Sequence, residues 1–273
     1  MKDKKTVIIT LSIIFCCGIV FSGLIMSVNG FYQNRKLFEA IENNDYAAAK
    51  KAVEKGAFLD IRKYFVYLPG ILDANPTPLI VACDNGNEDI VKLLVESGAD
   101  VNKIDNYIDN TPLLSVLNEY HTNRFSIAMY LIQSGADIYV HRGNKTPFSE
   151  AMYIFETDNE QTKNENKILI QYLIKHNADQ TLSYGENALT CAVHRGNLFT
   201  VQYLIENQYY DINMQDEKGN TALITAVKYE QHDILNLLLD LGADPYIVNA
   251  EGKTALDYVN EQNGKIATFE FSD

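Results

Sequence analysis

The chain has 273 residues, 47% of them hydrophobic, and a formal net charge of -13 from 23 Lys+Arg against 36 Asp+Glu. That apolar fraction excludes gross disorder, and the length allows one large domain or two small ones. The acidity argues against nucleic acid as a partner, because phosphate binding needs clustered Lys and Arg; a basic or mixed protein partner fits better.

The N-terminus comes first. Residues 1–5, "MKDKK", form a short basic segment, and Thr6–Val28 then runs 23 residues without a charge. As a helix this stretch reaches about 34 Å, enough for a bilayer core of about 30 Å. It reads as a single signal-anchor or transmembrane helix. The alternative is a cleaved export signal with a weak cleavage point around Val28-Asn29-Gly30. Lys2, Lys4 and Lys5 precede the span and Arg35 and Lys36 follow it, a small bias that leaves the N-terminus inside and the remainder on the non-cytoplasmic side. Residues 29–35 read as a linker. Cys16 and Cys17 lie in the apolar stretch, whereas Cys83 and Cys191 sit in helical patterns and read as buried free thiols. No cysteine spacing suits zinc or a disulfide framework.

From residue 36 a period of about 33 residues dominates. "TPLIVACDNGNEDIVKLLVESGADVN" (Thr77–Asn102) recurs as "TALITAVKYEQHDILNLLLDLGADPY" (Thr221–Tyr246). Weaker copies start at Thr111, Thr146, Asn187 and Thr254, and an incomplete unit spans Leu37–Asp60. Each starting Thr can cap a helix, and the Pro that follows suits the first helical turn. Leu79, Leu113, Phe148, Leu189, Leu223 and Leu256 form one apolar column. Small residues follow three positions on (Ala82, Val116, Ala151, Ala192, Ala226, Val259). The second helix carries Leu94, Leu131, Leu173, Leu204 and Leu238. Gly98, Gly135 and Gly242 suit the left-handed position that closes a helix, with Asn177 as a substitute. One such helix pair cannot bury its apolar face alone, so the pairs must stack.

The T-P-L starts at Thr77, Thr111 and Thr146 and the G-A-D ends at Gly98, Gly135 and Gly242 resemble the ankyrin-repeat family. The resemblance covers residues 36–264: a cap, about five repeats and a C-terminal cap, followed by a tail over 265–273. It implies an all-α ankyrin-repeat solenoid of helix–turn–helix units with protruding turns and a concave binding face. It also implies a non-enzymatic scaffold that binds a protein.

Departures from the pattern mark other features. "ENQYYDIN" (Glu206–Asn213) lacks the Gly-Ala pair and holds one extra residue, so a distorted junction is expected there. About ten extra residues around Ile154–Asn166 read as an extended first helix followed by a mobile loop. Six or seven more fall around "YFVYLPGIL" (Tyr64–Leu72), before the first full repeat. That segment either covers the first cap or projects Tyr64, Phe65, Tyr67 and Leu68 toward a partner or the membrane.

Catalytic constellations are not evident. His121, His141, His176, His194 and His232 are scattered without metal-pair spacing, and neither a phosphate loop nor a nucleophile elbow occurs. No cofactor, metal site or small-molecule substrate is expected. The family resemblance directs attention to turn tips and the exposed side of the first helices. The positions there are Tyr107, Ile108, Tyr153, Tyr184, His194, Arg195 and Tyr229, and Tyr and Arg are enriched at binding hot spots. Tyr130, Tyr172 and Tyr203 on the second helices read as core. Three functions remain: a membrane-tethered or exported binding module, an immunity-type inhibitor of a co-exported protein, or a structural tether for an assembly.

Overall fold

The computed structural model describes residues 29–61, 76–105, 110–118, 121–143, 145–153, 159–178, 182 and 185–261. Among them the regular structure is helical, and the one β feature is an isolated antiparallel bridge between Arg142 and Lys145. Helix α1 ends at residue 42 and is described from residue 29. There follow α2 (Tyr46–Glu54), α3 (Pro78–Asp84), α4 (Glu88–Glu96), α5 (Pro112–Leu117), α6 (Arg124–Gln133), α7 (Pro147–Ala151), α8 (Glu160–Lys175), α9 (Ala188–His194), α10 (Leu198–Glu206), α11 (Ala222–Lys228), α12 (His232–Asp240) and α13 (Ala255–Glu261). The chain forms two compact units, Met1–Val116 and Leu117–Asp273, with the division inside α5.

The starts of the helices follow from local chemistry. The Thr77, Thr146 and Thr221 hydroxyls accept from the backbone N–H of Ile80, Ser149 and Ile224, and Pro78 and Pro147 fill the first turn. Such a cap contributes about 1 kcal/mol. Asn187 replaces threonine without loss: its side chain accepts from Thr190 N while the Thr190 hydroxyl accepts from Asn187 N, a reciprocal capping box.

The second helices end in one shared way. Gly98 takes φ +95° and the next amide, of Ala99, donates to Leu94 O at 3.0 Å. The same closure recurs from Ala136 to Leu131 O and from Ala243 to Leu238 O. A Cβ is disfavoured at this left-handed turn, which is why glycine dominates there. The distortion expected at "ENQYYDIN" does not reach the helix end. Gln208 adopts φ +56° and Tyr209 N donates to Leu204 O at 3.0 Å, so the standard closure is kept at the expense of an unfavourable backbone for glutamine.

Both leucine columns lie inside. Leu94, Leu131, Leu173, Leu204 and Leu238 are fully buried, as are Leu79, Leu113, Phe148, Leu189 and Leu223 to within 1%. Leu256, in the last unit, is half-buried. The small-residue column is buried throughout, from Ala82 to Val259. Cys83 and Cys191 are buried free thiols.

In unit 1, α4 packs on α2 and α3. Asn87 Nδ2 donates to Ile41 O at 2.7 Å, and Asp60 Oδ1 accepts from Asp100 N at 2.9 Å, so both the start of α4 and the turn after it are tied to the preceding helix pair. Residues 29–35, expected as a linker, are helical and packed. Asn34 is fully buried and makes a double link with Phe58: Nδ2 donates to its carbonyl and Oδ1 accepts from its N–H, both at 2.6 Å. Phe31 meets the Phe58 ring edge-on, and Gly30 lies so close beneath that ring that an added Cβ would sit 2.3 Å from it.

In unit 2, each second helix packs on the next along α6, α8, α10 and α12, and α9, α11 and α13 do likewise for the first helices. The third-repeat insertion lengthens the second helix instead of the first: α7 has 5 residues, while α8 has 16 against 9 in α10 and α12. Asn159 caps this longer helix by accepting from Thr162 N. Two of the added polar residues are not solvated. Thr162 and Asn166 are each 1% exposed, Thr162 Oγ1 donates to Thr122 O at 2.9 Å, and Asn166 Nδ2 donates to Ala151 O. Burial with partners for those groups stabilises helix where composition alone suggested a loop.

No helix of the described residues is long and apolar enough to cross a membrane. The Thr6–Val28 span and "YFVYLPGIL" lie outside the described residues.

Candidate functional site

Within unit 2, α9 and α11 end in register, seven residues after their N-caps, whereas α7 ends two residues sooner. The α9 cap is Arg195 and the α11 cap is Tyr229, each followed by a left-handed residue, Gly196 (φ +69°) and Glu230 (φ +55°). One residue earlier stand His194 and Lys228, and Tyr153 occupies the corresponding place just after α7.

These side chains pair from one repeat to the next. The Arg195 guanidinium lies 4.2 Å from the centre of the Tyr153 ring. The His194 ring stacks on Tyr229 with centroids 4.0 Å apart and planes at 23°. Lys228 lies over the Tyr258 ring at 5.0 Å. Cation–π and stacked contacts of this kind fix side-chain direction at about 0.5–1.5 kcal/mol each. Glu186 orients His194 through a 2.7 Å contact between Oε1 and Nδ1. Tyr229 is 46% exposed, and Tyr153, His194 and Arg195 are half-buried.

Beneath the pairs lies a recess of about 470 Å³, into which Arg142, Lys145, Tyr153, Glu186, His194 and Arg195 contribute. Glu150, 2% exposed, ion-pairs with Lys145 through Oε2 at 3.2 Å, and Lys145 also donates to Asn118. Burial holds the Arg195 pKa below its ordinary value, with Glu150 and then Tyr229 opposing. Cys191 lies alongside; burial first, and then Glu186, push its thiol well above the usual range. It therefore stays protonated and is not a nucleophile at neutral pH. Among the described residues no group of three His, Cys, Asp or Glu could hold a metal ion.

Of the positions selected from the sequence, the structure thus brings Tyr153, His194, Arg195 and Tyr229 together. Tyr64, Phe65, Tyr67, Leu68, Tyr107, Ile108 and Tyr184 lie outside the described residues. Glu150 and Glu186 were not selected. Glu150 had a signal: it occupies a first-helix column otherwise filled by the uncharged Val81, Ser115, Cys191, Thr225 and Tyr258. Glu186 had none, since an acid just before a helix cap is ordinary.

The second-helix tyrosines correct a sequence expectation. Tyr130, Tyr172 and Tyr203 are half-exposed, not core. Each precedes a fully buried leucine (131, 173, 204), and one residue turns a helix by about 100°, off the buried face. Tyr172 stacks on His176 at 4.0 Å, and Tyr203 lies between Phe199 and Tyr209 at 5.7 and 5.9 Å.

Capped helix pairs stacked around leucine columns, with polar and aromatic side chains presented at their ends, define a tandem-repeat interaction scaffold. Residues 37–142, 161–249 and 200–269 match the family model of ankyrin repeats (three copies), and the chain belongs to the ankyrin-repeat family. It is 25% identical over 194 residues to the ankyrin repeat protein YahD of Escherichia coli strain K12, covering 68% of this chain and 90% of that protein. Of two other curated relatives it spans about a third, 34% and 30% of their lengths. Among solved structures, the human ASB11 ankyrin repeat domain superposes with a TM-score of 0.61 at 21% identity, covering 81% of this chain and 90% of that one. A chain from the complex of the predatory endopeptidase Bd0816 of Bdellovibrio bacteriovorus with immunity protein Bd3460 superposes with a TM-score of 0.57 at 25% identity, covering 75% and 97%.

Proposed function

We propose that this chain is a non-enzymatic protein-binding scaffold, held at a membrane by residues 6–28 with its repeats on the non-cytoplasmic side. The partner is a protein, and unit 2 meets it with the face formed by Tyr153, His194, Arg195 and Tyr229. The observation that carries this reading is their pairing across consecutive repeats. Rings and a guanidinium already held in place lose little side-chain entropy on binding, which is what a hot spot requires. Asn29 and Gly30, at the weak cleavage point, are helical; Asn29 Nδ2 donates to Lys55 O at 3.0 Å, and Gly30 packs beneath Phe58. That packing favours an uncleaved anchor over a removed signal.

A photo-crosslinking amino acid at position 229 of the full-length chain is expected to trap a discrete protein, whereas the same group at exposed Lys50 traps none. For the purified pair, Tyr229→Ala is expected to weaken binding about 10- to 100-fold, or about 1–3 kcal/mol, with the chain still folded and its melting temperature lowered only by the loss of the His194 stack. Affinity within twofold of the parent removes Tyr229 from the interface.

The likeness to a chain of the endopeptidase–immunity complex supports a second reading, an immunity-type inhibitor of a co-exported protein. Assaying the trapped partner with and without the chain separates an inhibitor from a tether. A reporter active only outside the cytoplasm, fused after Asp273, is expected to give signal; silence together with a working cytoplasmic reporter reverses the topology.

A further inference from the structure

The recess beneath the paired side chains carries one further assignment. The Arg195 guanidinium makes no hydrogen bond or ion pair with any described residue, and its buried Nε has no acceptor. A half-buried guanidinium without acceptors is unusual, because each unmet buried donor is costly. Its direction is nevertheless held, since the group lies over the Tyr153 ring at 4.2 Å from its centre. The neighbouring charges are otherwise engaged. Glu150 is held by Lys145 through Oε2 at 3.2 Å and reaches Arg195 only through space, its Oε1 having no hydrogen-bond partner, while Glu186 is held by His194 at 2.7 Å. Three fixed cations line the recess (Arg142, Lys145, Arg195), against the lining carboxylate Glu186 and Glu150, which is buried against Lys145, so fixed cations outnumber carboxylates by one within a chain whose total is -13.

We propose that this recess is a subsite for a single carboxylate of the protein partner, received by the Arg195 fork with Arg142 at the rim. The assignment rests on the scaffold reading above and adds the chemistry of the partner's anchor. The planar fork matches the two oxygens of a carboxylate and gives two charge-assisted hydrogen bonds. One surplus positive charge balances one carboxylate, and leaves a doubly charged phosphate under-compensated. The buried Glu150 and half-buried Glu186 carboxylates would repel the excess.

The test uses full-length chain carrying nitrogen-15 in its arginines and follows the Nε–H resonance of Arg195, identified by its disappearance in Arg195→Lys. The probes are three short peptides: acetyl-Gly-Glu-Gly-amide, its Gln counterpart, and acetyl-Gly-Gln-Gly with a free C-terminal carboxylate. The Glu peptide is expected to move the resonance with half-saturation on the order of 1–10 mM, the range two charge-assisted bonds support. The Gln amide is expected to leave it unmoved, and Arg142→Gln to weaken the Glu peptide. Movement by the third peptide as well assigns the subsite to chain-end carboxylates in addition to side chains; movement by the third alone assigns it to chain ends.

An equal response to the Gln amide, or none to either carboxylate peptide, overturns the assignment. Arg195→Gln is expected to lower the melting temperature by no more than a few degrees, because its guanidinium loses the Tyr153 ring contact but no internal acceptor, while crosslink yield from position 229 falls at least tenfold. Crosslinking that persists in Arg195→Gln while the peptides fail leaves the scaffold reading standing and removes the carboxylate subsite. Failure of crosslinking in the parent removes the interaction face itself.

Discussion

Leu204→Ala is expected to destabilise the protein by about 2–5 kcal/mol, read as a lower urea midpoint at unchanged slope. Leu204 is fully buried in α10, a helix that contacts α8, α9 and α12. Truncation removes apolar atoms from contact with three helices at once, and the stack cannot close over the gap without moving them. The backbone is involved as well. The Leu204 carbonyl receives the Tyr209 amide that closes α10, at a turn already holding Gln208 at φ +56°. Leu204→Met, which conserves volume, is expected to cost less than about 1.5 kcal/mol. A loss from the alanine variant under about 0.5 kcal/mol, the range of ordinary surface changes, would remove the column from the core.

Asn34→Ala has the next largest expected effect, about 1–3 kcal/mol, because it removes both part-buried hydrogen bonds that the fully buried Asn34 side chain makes to the backbone of Phe58. Calorimetry on the full-length variant should show a lower melting temperature. Loss of the Phe31–Phe58 edge contact, now 5.9 Å between centroids, should appear in the aromatic resonances. Asn34→Asp keeps the acceptor for Phe58 N but sets a carboxylate oxygen against Phe58 O, so it is expected to recover at most part of the loss. Unchanged stability in the alanine variant would mean that α1 does not depend on this link.

The contrast between these residues shows what was readable. Leu204 was legible because it recurs: a leucine at the same place in five repeats requires a common buried face, and helical spacing identifies that face without coordinates. Asn34 was not. It precedes the first recognisable unit, has no counterparts to align, and as a lone asparagine in "YQNRK" it looks solvated. Its partner Phe58 lies beyond the next helix, and only tertiary packing supplies the pairing.

The candidate site divides in the same way. His194, Arg195, Tyr153 and Tyr229 were named from their repeat positions, since the end of a first helix is defined locally by its cap and by the left-handed residue after it. Their pairing was not legible, because Arg195 meets Tyr153 and His194 meets Tyr229 across repeat boundaries whose lengths vary. Polar burial was misjudged for a related reason. Thr162 and Asn166 look like loop residues by composition, yet each finds a backbone carbonyl that sequence distance conceals.

By itself the sequence determined the repeat, the capped helix pairs, the two leucine columns and the ankyrin-repeat class, because these follow from short-range spacing and local hydrogen-bond demand. The tertiary structure decided that the insertion extends α8, that α1 is docked through Asn34, and that one guanidinium is held without an acceptor over a recess. Those outcomes depend on which side chains of different repeats come within a few ångströms, and pairwise distance is not encoded in any local pattern.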